Sequence, residues 1–165
     1  MTRAKTPPRL LAIDPTSNGF AWVLLEGKDI LARWGIPRVR PPRNERSLKL
    51  ITELLDSLRP DVVVIEDVAA GPPRSARVEP LLEAIEETAT QRRVLTRRIS
   101  RRKAYAALGS GVTTKYESAV ALARRFPALE KRMPRERKPW MSEDNRMNVF
   151  DALVLAVAAT LTTRP

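Results

Sequence analysis

Cysteine is absent from the 165 residues. That excludes disulfides and thiolate metal sites and permits a reducing compartment, so a cytoplasmic location is expected. Long apolar runs are also missing. The most apolar stretch, MNVFDALVLAVAATL, falls short of the roughly 20 residues a membrane span needs and carries Asp151. The opening MTRAKTPPRLLAID begins with charge, but its apolar run is too brief for a signal peptide. No internal repeat or low-complexity tract interrupts the chain. Acidic residues are in deficit, with 19 Asp+Glu against 30 Lys+Arg, a formal charge of +11. Such a surplus favours polyanionic partners, and without a membrane segment nucleic acid leads an anionic bilayer.

What is present suits a globular protein: 43% hydrophobic and 30% charged residues. The length is enough to bury a real core, and residues 1–165 read as a single domain. Proline pairs at Pro7-Pro8, Pro41-Pro42 and Pro72-Pro73 mark boundaries that neither helices nor central strands can cross. Between the first two pairs lie RLLAID, FAWVLLE and DILARWG, separated by turns at Asn18-Gly19 and Gly27-Lys28. They predict a three-stranded antiparallel meander. In NERSLKLITELLDSL, Leu48, Ile51, Leu54, Leu55 and Leu58 recur at helical spacing, and Pro60 ends the helix. DVVVIEDV then reads as a strand covered on both faces. Strand, crossover helix and strand form a βαβ unit, so this fourth strand is expected to run parallel to one of the first three.

A second helix, EPLLEAIEETA, carries Leu81, Leu82, Ile85 and Ala89 on one side, and RRVLTRRI supplies a fifth strand. Ser100 caps a short helix stopped by Gly109, and Thr114 with Glu117 forms a capping box for TKYESAVALARRF. A basic, proline-broken loop leads to Trp140, and a last helix is expected from about Ser142 to Leu161. The order is α/β around one mixed sheet.

Asp14 and Glu66 end the apolar runs LLAI and VVVI at comparable depth, so parallel neighbouring strands would bring them side by side. On the last helix Asp144, Asn148 and Asp151 are spaced to share one face, opposite Met147, Phe150, Val154, Val157 and Leu161. Each acid has an ordinary reading by itself. Asp14 before Pro15 suits a turn, Glu66 and Asp67 suit a strand end, and Asp144 suits a helix start. Asp151 is different, because it interrupts an apolar helix. Clustered carboxylates repel one another, and a hard divalent cation such as Mg²⁺ relieves the repulsion. Two such ions support phosphodiester hydrolysis.

This combination resembles the RNase H-like superfamily and, within it, the RuvC-type Holliday junction resolvases. The resemblance rests on LAIDPTSNGFAWVLLE, VVVIEDV, SRRKAYAALGSGVTTKYESAVALA and NVFDALVLAVA, which together span about residues 9 to 161. It implies a mixed five-stranded sheet, three strands antiparallel and then parallel ones, flanked by helices. Asp14 and Glu66 match the family's metal-ligating acids, Asp151 the final aspartate of its last-helix motif, and Lys115 a lysine kept near the scissile phosphate. The implied enzyme is a homodimeric, Mg²⁺- or Mn²⁺-dependent endonuclease that cuts branched DNA in recombination and repair. Two departures stand out. Asn148 occupies a position where an Asp or His is expected, leaving Asp144 as a substitute ligand. The loop DVAAGPPRSARV lacks the aromatic wedge that resolvases push into a junction.

QRRVLTRRISRRK and ARRFPALEKRMPRERK flank the Lys115 helix with positive charge. Arg97, Arg98, Arg101, Arg102, Lys103 and Lys115 are the expected phosphate contacts. The bland alternative is a solvated helix face and a mobile loop. Trp22 and Trp34 read as packing residues, Trp140 is the stacking candidate, and Tyr105 and Tyr116 are weaker ones. Two other functions stay open: a nucleic-acid-binding module that has lost cutting power, and a YqgF-like nuclease acting on RNA precursors.

Overall fold

The computed structural model describes residues 5–69 and 71–162. Strands β1 (Arg9–Thr16), β2 (Gly19–Glu26) and β3 (Ile30–Gly35) form the expected meander. Helix α1 (Arg43–Leu58) then crosses to β4 (Val62–Glu66), which pairs parallel to β1. Helix α2 (Val78–Gln91) leads to β5 (Leu95–Ile99), parallel to β4. Helices α3 (Arg101–Ala106) and α4 (Lys115–Arg125), a 3₁₀ helix (Pro127–Arg132) and α5 (Met147–Thr162) complete the order. The sheet runs β3-β2-β1-β4-β5. Among the described residues no helix is long and apolar enough to cross a membrane.

The period-two alternation of a strand divides the sheet between two cores. Leu11 and Ile13 of β1, Phe20, Trp22 and Leu24 of β2, and Val63 and Ile65 of β4 face one way. They meet Ile51, Leu55 and Leu58 of α1 and Leu81, Leu82, Ile85 and Ala89 of α2. Leu10, Ala12, Ala21, Val23, Leu25 and Val64 face the other way, against α5. Each large aliphatic side chain fully buried in these layers contributes about 1.5–3 kcal/mol. Arg59, in the left-handed region at φ 48°, closes α1 by donating its backbone N–H to Leu55 O, and Pro60 prevents continuation.

Three local expectations are corrected. The last helix starts at Met147 rather than Ser142, so Glu143 and Asp144 precede it and Asp144 does not share a helical face with Asp151. The helix is also not two-faced: from Met147 to Thr160 every residue but Asn148 is buried, while Leu161 is exposed. It lies on β1 and β2 with α3 and α4 packed over it, so apolar residues are needed all round. Finally, the β1–β2 turn is Ser17-Asn18, one residue earlier than Asn18-Gly19. Gly19 serves close approach instead, since a Cβ there would lie 2.2 Å from Pro37 O.

Both caps form as expected. The Ser100 hydroxyl accepts from Lys103 N at 3.3 Å and Thr114 Oγ1 accepts from Glu117 N at 3.1 Å. The Glu117 carboxylate returns to accept from Thr113 N at 2.7 Å.

Candidate functional site

The parallel register pairs Leu10 with Val62 and Ala12 with Val64, and the same offset brings Asp14 level with Glu66. Alternation assigns both side chains to the α5 side of the sheet, because their even-numbered neighbours Ala12 and Val64 face that core. Helix α5 contributes Asp151 from the same side. All three acids are buried polar groups, Asp14 at 2% exposure. They line a cavity of about 440 Å³ together with Arg74, Arg101, Lys115, Glu143, Asp144 and Asn148.

The three carboxylates meet on one guanidinium. Arg101 Nη2 donates to Asp14 Oδ1 at 3.1 Å and to Glu66 Oε2 at 3.2 Å. Its Nε donates to Glu66 Oε1 at 3.2 Å, and its Nη1 lies 3.4 Å from Asp151 Oδ2. Arg74 approaches from the loop after β4, where it bonds Glu66 and donates to Pro15 O at 2.8 Å. Lys115 Nζ reaches Asp151 Oδ2 at 3.3 Å and Glu143 Oε1 at 2.9 Å. Three cations thus face the three buried acids, with Glu143 at the rim sharing Lys115, as burial in low dielectric demands.

Burial pushes the Asp14 carboxyl up from 3.8 to about 6; Arg101 opposes the rise, Asp151 adds to it, and Arg74 and Glu66 act with lesser weight in the same two senses. For Arg101, burial alone would favour loss of the proton, but Asp14, Asp151 and Glu66 outweigh it and hold the guanidinium charged. Burial and the neighbouring Asp151 carboxylate raise Tyr105 well above the usual phenol range. Its hydroxyl therefore keeps its proton and donates it to Asp151 Oδ1 at 2.5 Å.

Asp14, Glu66, Asp151, Asn148, Lys115 and Arg101 come together at this cavity. Asp144 lines it too, but both its oxygens are engaged by Arg146, at 2.7 Å from Nη2 to Oδ2. Those bonds hold its carboxyl well below the usual range. The remaining basic candidates disperse. Arg98 points to the opposite face of the sheet and bonds Glu86 and Glu79 of α2. Arg97 donates to Ala159 O, near the far end of α5. Arg102 and Lys103 are exposed on α3. Trp140 is 78% exposed beside Lys138, whereas Arg132 stacks over the Trp34 ring.

Two residues of the cluster carried little signal in the sequence. Tyr105 holds Asp151 instead of offering a stacking surface. Arg74 lies in a proline-rich loop with no periodicity to orient it. Arg101 stood among the phosphate contacts, yet β5 pairs Ile99 with Glu66, which delivers the residue two positions later to the mouth of β4.

The chain has no histidine or cysteine, so oxygen atoms are its available metal donors. The carboxylates of Asp14, Glu66 and Asp151 and the amide oxygen of Asn148 suit a hard cation such as Mg²⁺ or Mn²⁺. Among the described residues, no group of three or more acidic, histidine or cysteine side chains forms a ready cation cage. The acids are turned onto Arg101 instead. The donor chemistry fits a divalent ion, while in this structure the three acids bond a guanidinium.

No family model and no curated protein matches the sequence. Among solved structures, Thermus thermophilus RuvC is similar, with 20% identity, a TM-score of 0.66, and coverage of 92% of this chain and 93% of that one. T. thermophilus RuvC in complex with a Holliday junction substrate has 17% identity and a TM-score of 0.65, covering 93% of this chain and 94% of that one. The meander, the parallel β4 and β5, and the closing helix give this chain the RNase H-like fold in its RuvC form.

Proposed function

We propose that this chain is a RuvC-type endonuclease that hydrolyses phosphodiester bonds in branched DNA, using Mg²⁺ or Mn²⁺ and acting as a homodimer. One observation carries the reading: Asp14, Glu66 and Asp151, from two adjacent parallel strands and a distant helix, converge in a single cavity. It gains support from the fold, which is shared with a RuvC held on a Holliday junction. Asp14, Glu66 and Asp151, with Asn148, would hold the metal pair, which would supply Lewis-acid activation of the phosphate ester when bound. Asp144 is the less favoured ligand, because Arg146 occupies its oxygens.

The chain's own residues have separable tasks. Lys115, half-exposed at the cavity rim, would offset charge developing on the scissile phosphate. Tyr105 keeps Asp151 in one orientation. The exposed Arg102 and Lys103 would hold backbone phosphates, adding salt-sensitive affinity with little sequence information. The test is a cleavage panel of four-way junction, flap, duplex and structured RNA with Mg²⁺ or Mn²⁺, comparing the parent with Asp14→Asn. Divalent-dependent junction cutting that vanishes in the variant is expected, and cutting retained by the variant would overturn the site.

A second reading, a binding module without cutting power, is favoured by Asn148 and by the guanidinium among the acids. It requires junction binding with no product even in Mn²⁺.

A further inference from the structure

Arg101 occupies an unusual position for a basic residue of a nucleic-acid-binding protein. All three of its guanidinium nitrogens point inward, one or more to each of three buried carboxylates. Arginine stays charged under any physiological condition, so its group cannot leave the cluster by losing a proton. It can leave by moving. Arg101 is the first residue of α3, directly after the Ser100 cap, and its side chain is 23% exposed at the cavity. Rotation about its long stem would carry the charge to the mouth without disturbing a strand.

Resting on the nuclease reading above, we propose that Arg101 is an internal cation that competes with the divalent metal for the Asp14–Glu66–Asp151 cluster. Loading is then an exchange, in which the ion enters as the guanidinium swings out. The charges require it. Arg101, Arg74 and Lys115 face Asp14, Glu66, Asp151 and the rim carboxylate Glu143, and a divalent ion added to that set would turn a near-balanced site net positive. A guanidinium and a divalent ion drawing on the same three carboxylates would lie close together in a buried site and repel each other. In the free protein the acids are thereby kept paired, and the ion binds more weakly than its donor set alone would give. Arg101 acts on the ion through the acids, as a positioning residue.

The exchange is read from Mn²⁺ affinity by isothermal titration calorimetry on the parent, Arg101→Gln and Asp14→Asn. We expect Arg101→Gln to bind Mn²⁺ about tenfold tighter or more, the size of ordinary coupling between two sites, and Asp14→Asn to lose the binding. Equal affinity in the parent and Arg101→Gln, with loss in Asp14→Asn, overturns the exchange and leaves the metal site standing. No Mn²⁺ binding in the parent or in Arg101→Gln removes the metal site itself, and the exchange with it. Because Arg101→Gln leaves three acids short of a cation and can fail to fold, a second measurement uses the parent protein. Its Arg101 Nε–H resonance, assigned by its loss in Arg101→Lys, should move to the position of a solvated arginine on adding Mg²⁺. A resonance unmoved at saturating Mg²⁺ overturns the proposal.

Discussion

Replacing Asp14 by Asn separates the chemistry of the site from the stability of the fold. The Asp14 carboxyl is buried and raised from 3.8 to about 6, chiefly by loss of water. Folding therefore favours its protonated form. Below 3.8 the group is protonated in both states and imposes no penalty; as pH rises through the window to about 6 the folded state loses stability, and above it the loss is complete. A shift of about two units at ~1.36 kcal/mol each amounts to ~3 kcal/mol. Asn has the same shape, no charge, and an oxygen that can still accept from Arg101 Nη2. The variant should then be more stable than the parent by up to ~3 kcal/mol at about pH 7.5, with the margin shrinking towards zero at about pH 4. Urea unfolding at the two pH values measures it. Divalent-dependent cleavage should disappear in the same variant. A variant less stable than the parent, by a margin that does not change between the two pH values, would refute the reasoning. Asp14 would then be a net stabilising partner of Arg101.

Other substitutions test other parts. Tyr105→Phe removes the hydroxyl that orients Asp151; it should cost about 1.5–3 kcal/mol in thermal unfolding and lower the cleavage rate without changing junction affinity. Lys115→Ala should abolish most cleavage and lower stability by about 1–3 kcal/mol, because it takes a charged partner from the buried Asp151; urea midpoints measure the loss. Gly19→Ala should destabilise by more than the ~1 kcal/mol typical of a glycine replaced in ordinary backbone, since the new methyl meets Pro37 O; denaturant midpoints decide. Arg102→Ala with Lys103→Ala should weaken junction binding and reduce its dependence on salt concentration, as loss of phosphate contacts requires.

Much of the fold was legible because its signals are local. Leu48, Ile51, Leu55 and Leu58 recur at the helical period, and Ser100 and Thr114 satisfy the first amides of their own helices. Where the reading slipped, a neighbour decided. Asp144 looks like a helix-start acid, but Arg146 captures its carboxylate and the helix begins three residues later. Of the polar face expected on the last helix only Asn148 and Asp151 remain, at the cavity, and the rest of the helix is apolar all round because α3 and α4 cover the side away from the sheet. Arg97 and Arg98 are adjacent in a basic run, yet strand alternation sends one to α5 and the other to α2.

By itself the sequence determined the succession of strands and helices along the chain, the helices that cover the sheet, and the position of Asp14 and Glu66 at matching depth in their strands. Each of those follows from the period of apolar residues within a few turns or strands of chain. That β4 joins β1 was decided by the packed sheet. Tertiary structure alone decided which cations meet the acids, that Tyr105 holds Asp151, and that Arg101 lies among all three carboxylates. Those contacts join residues as many as 87 positions apart. A long charged side chain has no periodicity to reveal its direction, so its partner is settled by where the packed backbone leaves buried opposite charge.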